Sequence, residues 1–169
     1  MKRLRRALVF LAACGCSDLD DDEAVCTASV SVSGYITASL PEQLDCYSST
    51  GPIDMGFTPR DEEHPLSGFN VIIPGAGPGE TGMFAARVLV FGNPTGLWET
   101  DACVVTIDTH DDRGQVCHYN SDSRSDECED YDTYRLRGHG ECQKPAYTPD
   151  GVPLTIGPFE FARDVWWPR

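Results

Sequence analysis

The chain is 169 residues long, enough for one domain with a real core once any leader is removed. It is 40% hydrophobic, which argues against wholesale disorder. Its formal charge is −14, with 27 acidic residues against 13 basic, so the surface repels nucleic acid and anionic lipid; the sequence has no basic patch of the kind nucleic-acid binding needs.

Lys2, Arg3, Arg5 and Arg6 form a basic head, and residues 7–13 are an unbroken apolar run. A charged start, a short apolar stretch and small residues at a cut site describe an export signal. The run is too short for a membrane-crossing helix, which takes about 20 residues. Four of the basic residues lie in this head, leaving nine against 27 acidic ones, a balance of −18. The quartet Leu11-Ala12-Ala13-Cys14 resembles the lipobox of bacterial lipoproteins, in which the cysteine is acylated and becomes the mature N-terminus. The resemblance covers residues 1–13 and implies lipidation at Cys14. A second cut, before Cys16, is the alternative. Two or more acyl chains hold a protein stably on a membrane without spanning it. The expected location is therefore the bacterial cell envelope, at the outer membrane. Residues 14–24 are acidic and poor in apolar groups, and they read as a solvated tether.

Export also sets the chemistry of the cysteines, because disulfides persist in an oxidising compartment. Acylation at Cys14 leaves seven thiols, whereas the cut before Cys16 leaves six. The structural set is the same in both cases, and six thiols allow fifteen pairings. The pairs expected are Cys26–Cys46, Cys103–Cys142 and Cys117–Cys128. The last closes a loop of about ten residues, worth roughly 3 kcal/mol in the chain-entropy model.

Residues 25–169 read as a single β-domain. Over residues 26–40 apolar and polar side chains alternate, which gives a strand one dry and one wet face. Gly34 falls on the dry parity, and a strand bent at this glycine keeps the faces sorted. Residues 41–65 are polar and broken by Gly and Pro, and read as irregular. Residues 68–73 form a short apolar strand. The glycine-rich residues 74–82 make a hairpin connection; they satisfy neither the P-loop nor the dinucleotide pattern. Residues 83–91 are apolar on both parities and predict a central strand, covered on both sides or at least well inside the sheet. Residues 102–108 form another strand, with 115–119 as its partner across a turn at 111–114. Residues 120–130 read as a polar loop. Residues 131–138 form a strand with Tyr134 and Leu136 inward. The last strand, 153–161, changes apolar phase in a way that predicts a bulge at Gly157-Pro158. Trp166 and Trp167 are expected to pack on the domain edge. No helical period follows the leader. The sum is an all-β fold: one disulfide-stapled antiparallel β-sandwich of seven or eight strands, with a β-barrel as the alternative.

The densest charge feature is acidic. Asp108, Asp111, Asp112, Asp130 and Asp132 are the candidate calcium ligands, placed on loops as in many extracellular β-domains. No other cofactor is implied. His64, His110, His118 and His139 are scattered, without a zinc-binding pair. Arg135, Arg137 and His139 make a small basic island suited to an anionic ligand. No Gly-x-Ser-x-Gly elbow is present. The function expected is a non-catalytic binding or structural role for a lipid-anchored envelope protein, with a protein or polysaccharide as partner and no nucleic acid. The alternatives are an envelope hydrolase using carboxylates of the acidic loops, and a calcium-dependent adhesion module.

Overall fold

A computed structural model describes residues 25–49, 52–93, 96–120 and 125–169. The leader, the tether and both lipidation candidates, Cys14 and Cys16, lie outside these residues. The described chain is all-β, with ten antiparallel strands and no helix: β1 Cys26–Gly34, β2 Ala38–Ser39, β3 Leu44–Ser48, β4 Ile53–Pro59, β5 Leu66–Ile73, β6 Gly82–Gly92, β7 Gly96–Asn120, β8 Ser125–Cys142, β9 Ala146–Tyr147 and β10 Pro153–Pro168. They form one hydrogen-bonded path in the order β2-β1-β10-β8-β7-β6-β5-β4-β3, with β9 pairing β10 and β7 off it. The path curls until β1, next to one end, lies against β3 at the other. The Cys26–Cys46 disulfide joins β1 to β3, and the Arg163 guanidinium of β10 donates to the Cys46 carbonyl at 3.2 Å.

The curl follows from parity. One side of each long strand faces a common interior and carries Val30, Val32, Met55, Phe57, Phe69, Val71, Val88, Val90, Trp98, Val105, Ile107, Leu136, Phe159 and Phe161, all buried. Each such side chain contributes roughly 1.5–3 kcal/mol on burial. Phe69 sits edge-on to Phe159 with centroids 5.4 Å apart. Gly138 and Gly140 share this inward parity because the rings of Phe161 and Phe159 fill the space a Cβ would take.

The three disulfides expected are formed. Two are dictated by register, since Cys103 faces Cys142 and Cys117 faces Cys128 across the β7/β8 ladder. The bulge at Gly157-Pro158 is also present: Val30 pairs Phe159 while Val32 pairs Ile156. Both tryptophans lie in the end of β10, opposite Asp132 and Thr133 of β8.

Four local expectations are corrected. First, residues 26–40 are not one bent strand. The chain turns back after Gly34, whose φ of 122° suits glycine, and Val32 pairs Ala38, which still keeps the dry side chains together. Second, residues 41–65 contain β3 and β4, with Gly56 inside β4 as the seat of the Tyr47 ring. Third, residues 83–91 lie well inside the sheet, between β7 and β5, but are not covered on both sides. Ala86, Val88 and Val90 are buried, whereas Met83 is 76% exposed.

The fourth concerns the acidic region. Residues 111–114 are not a hairpin turn, and residues 125–130 belong to a strand rather than a loop. β7 runs straight through, and the pairing shifts by one residue between Asp112 and Gly114. Gly114 has φ 78°, and its N–H donates to the Asp112 carboxylate at 2.7 Å. Asp and Gly serve a bulge here with the same chemistry they would lend a turn. Among the described residues, β7 and β8 have no third strand beyond Gln115 and Tyr131. They continue as a two-stranded ribbon clamped by Cys117–Cys128. An isolated ribbon is marginal in water, so the covalent clamp has a clear physical purpose.

Candidate functional site

The outward side chains of β1, β10, β8 and β7 build a shallow groove. Register sets its rows. Ser29 faces Glu160, Glu160 faces His139, and His139 faces Thr106. In the next row Thr27 faces Ala162, which faces Arg137. All of these except Thr106, together with Glu42 and Asp108, line a groove of about 530 Å³. A second depression of about 450 Å³ adjoins it over Glu160, His139 and Thr106 and runs toward Met83.

Asp108 is the residue left over where the β7/β8 register slips between Ile107 and Thr109. The slip turns its carboxylate onto His139, whose Nδ1 lies 2.9 Å from Asp108 Oδ2. His139 and Asp108 are each about half exposed. Arg137 points into the same groove and has no ion pair among the described residues. Ser29 is two strands from His139 and Thr106 faces it across the ladder, but among the described residues the imidazole is bonded to Asp108 and to no hydroxyl. What the arrangement offers is one free guanidinium, an imidazole, carboxylates and small hydroxyls on rigid strands. It suits a polar ligand with an anionic part.

The basic island is thus divided. Arg137 and His139 face the groove, but Arg135 is held by Asp164, with Nε 3.0 Å from Oδ1 and side chains only 13% and 11% exposed.

The calcium candidates do not converge. Asp108 is held by His139, Asp112 accepts from the Gly114 amide, and Asp132 pairs with Arg169 at 2.7 Å. Asp111 stands opposite Arg135 in the ladder, and Asp130 is exposed, its carbonyl taken by the Arg169 amide. All five lie on strands rather than on the loops expected. Among the described residues no three His, Cys, Asp or Glu side chains are grouped to hold a metal.

Displaced titrations lie elsewhere. His110 is 5% exposed, donates from Nδ1 to the Glu80 carbonyl at 3.1 Å and meets the Tyr134 ring edge-on. Burial lowers its pKa, against the opposing pull of Glu80 and Asp111. The folded state therefore resists the second proton, while the unfolded imidazole takes it near pH 6.5. Stability is expected to fall as pH drops through about 6.5, and to stop falling below the folded pKa. Urea midpoints measured from pH 7.5 to 5 check this; the downward slope should be reduced in His110→Gln. Burial likewise lowers the Arg163 pKa and raises that of Asp54.

Sequence reasoning missed Glu160, Thr27, Ser29 and Glu42 as neighbours of His139. The period-2 pattern marked the first three as outward, but which strands pair is not written in any one of them. No family model, curated protein or solved structure matches the chain.

Proposed function

We propose that the protein is a lipid-anchored lipoprotein of the bacterial cell envelope whose β-domain has a non-catalytic binding role. The observation that supports this reading best is the set of three disulfides, because such bonds form and persist in oxidising compartments. The basic head, the apolar run and Leu11-Ala12-Ala13-Cys14 then supply a route to export and an acylation site. An acidic tether of residues 14–24 would leave the domain standing off the membrane, with its groove open to a ligand. Arg137 is the cation such a ligand would meet in a chain otherwise dominated by acids.

Fractionation and intact mass test the anchor. Wild-type protein is expected in the membrane fraction with the mass of acyl chains on its first residue. Cys14→Ser should lose both, and Cys16→Ser neither. An unmodified amino end on wild-type protein in the soluble fraction overturns the proposal.

A further inference from the structure

We propose that the outer face of β3 to β7 is a platform for an uncharged glycan chain, a site separate from the groove. The inference goes beyond the anchored binding role and stands without it. One cross-strand row runs over six strands, Tyr47–Gly56–Asn70–Leu89–Glu99–Tyr147, each residue facing the next. Partners in an antiparallel ladder point the same way, so the row is one continuous strip of surface.

Two features make the strip flat. A Cβ on Gly56 would fall inside the Tyr47 ring, so that ring lies down on the neighbouring strand. In the adjoining row Gly68 faces Phe91, whose ring passes 3.1 Å from where its Cβ would be. The Tyr47 hydroxyl accepts a hydrogen bond from the buried Asn70 amide, which fixes the ring in its plane. Tyr47 is nonetheless 50% exposed, and Tyr147 at the far end is 48% exposed with Leu97 beside it. Packing that lays a ring flat and leaves its other face open is pre-organised for stacking on another flat apolar surface.

The chemistry around the rings selects the ligand. The cations here are paired, Arg87 with Glu99 at 2.6 Å and Arg60 with Asp45 at 2.8 Å, and Asp54 and Asp101 add negative charge to the same face. In a chain of −14 the row thus presents no unpaired cation among the described residues, with donors and acceptors set between the apolar faces. A pyranose offers the complement: an apolar C–H face to stack on a ring and hydroxyls at its edge for Arg87 and Glu99. Polyanions are repelled by the surrounding field. The length of the strip, bounded by a tyrosine at each end, suits several sugar units better than one.

Saturation-transfer NMR tests this on the full-length chain in micelles of a detergent without a sugar headgroup, using cellohexaose and the hexamer of N-acetylglucosamine as probes. At least one hexamer is expected to receive saturation on its ring protons. Tyr47→Ala and Tyr147→Ala should each weaken binding about tenfold, while Tyr47→Phe, which keeps the ring, should retain most of it. Unchanged melting curves show that the alanine variants remain folded. Silence from both probes overturns the proposal, as does wild-type affinity in Tyr47→Ala. Loss of binding in Arg137→Ala with no loss in either tyrosine variant also overturns it, by placing the sugar in the groove.

Discussion

Serine at both Cys103 and Cys142 is expected to lower the free energy of unfolding by about 4 kcal/mol. The bridge spans 39 residues of sequence, between loop lengths for which the chain-entropy model gives about 3 and about 4.7 kcal/mol. It also ties β7 to β8 at the point where the ladder enters the core, for Cys103 is 2% exposed. The replacement leaves serine hydroxyls at this buried position, which adds to the cost. Urea unfolding of oxidised wild type and the double variant measures the difference. A loss under about 1 kcal/mol would show that the ladder fixes the same geometry without the bond. The exposed pair Cys117–Cys128 lies on the ribbon, so its bond guards local pairing rather than the core.

Asp164→Ala is the second large effect, at about 3 kcal/mol. Asp164 is 8% exposed and gathers three donors: Arg135 Nε at 3.0 Å, Arg135 Nη2 at 3.3 Å and the Val25 amide at 3.3 Å. Removing one partner of a largely buried pair takes from the other charge its bidentate acceptor, which costs more than the pair itself contributes. Two observations separate this account from simple loss of packing. Replacing both residues with apolar side chains, Arg135→Met with Asp164→Leu, should recover most of the loss. Amide exchange at Val25 and Cys26 should quicken in the single variant. A double variant as unstable as the single one would show that the charge is not the cause.

These two sites show what a one-dimensional reading reaches. Strand parity was plain wherever polar and apolar residues alternated, as in residues 26–34, and the phase change at Gly157-Pro158 located a bulge correctly. Pairing was harder, because Asp112-Gly114 has the residues of a turn and the structure uses them for a slipped register inside a long strand. β4 was hidden for a related reason: Gly56 reads as a breaker until the Tyr47 ring is seen resting on it. The candidate site was half legible. Arg135, Arg137 and His139 stood out as a basic island, but only the ladder to β10 shows that Arg135 is taken by Asp164 while Arg137 is left over Ala162. The acids were misplaced as a set, since assigning them to loops required a turn that the chain does not make. The proposed glycan platform gave no sequence signal, because its members come from six separate strands.

The closure of the sheet by Cys26 and Cys46 has a mechanical consequence. Any pull arriving along the chain from residue 24 enters the body at Val25 and meets a covalent fork one residue later. Tension is divided there between a strand beside β10 and a strand at the far end of the ladder. The outermost turn of backbone is therefore not peeled away bond by bond. A load entering at Val25 is thus met by two edges in parallel.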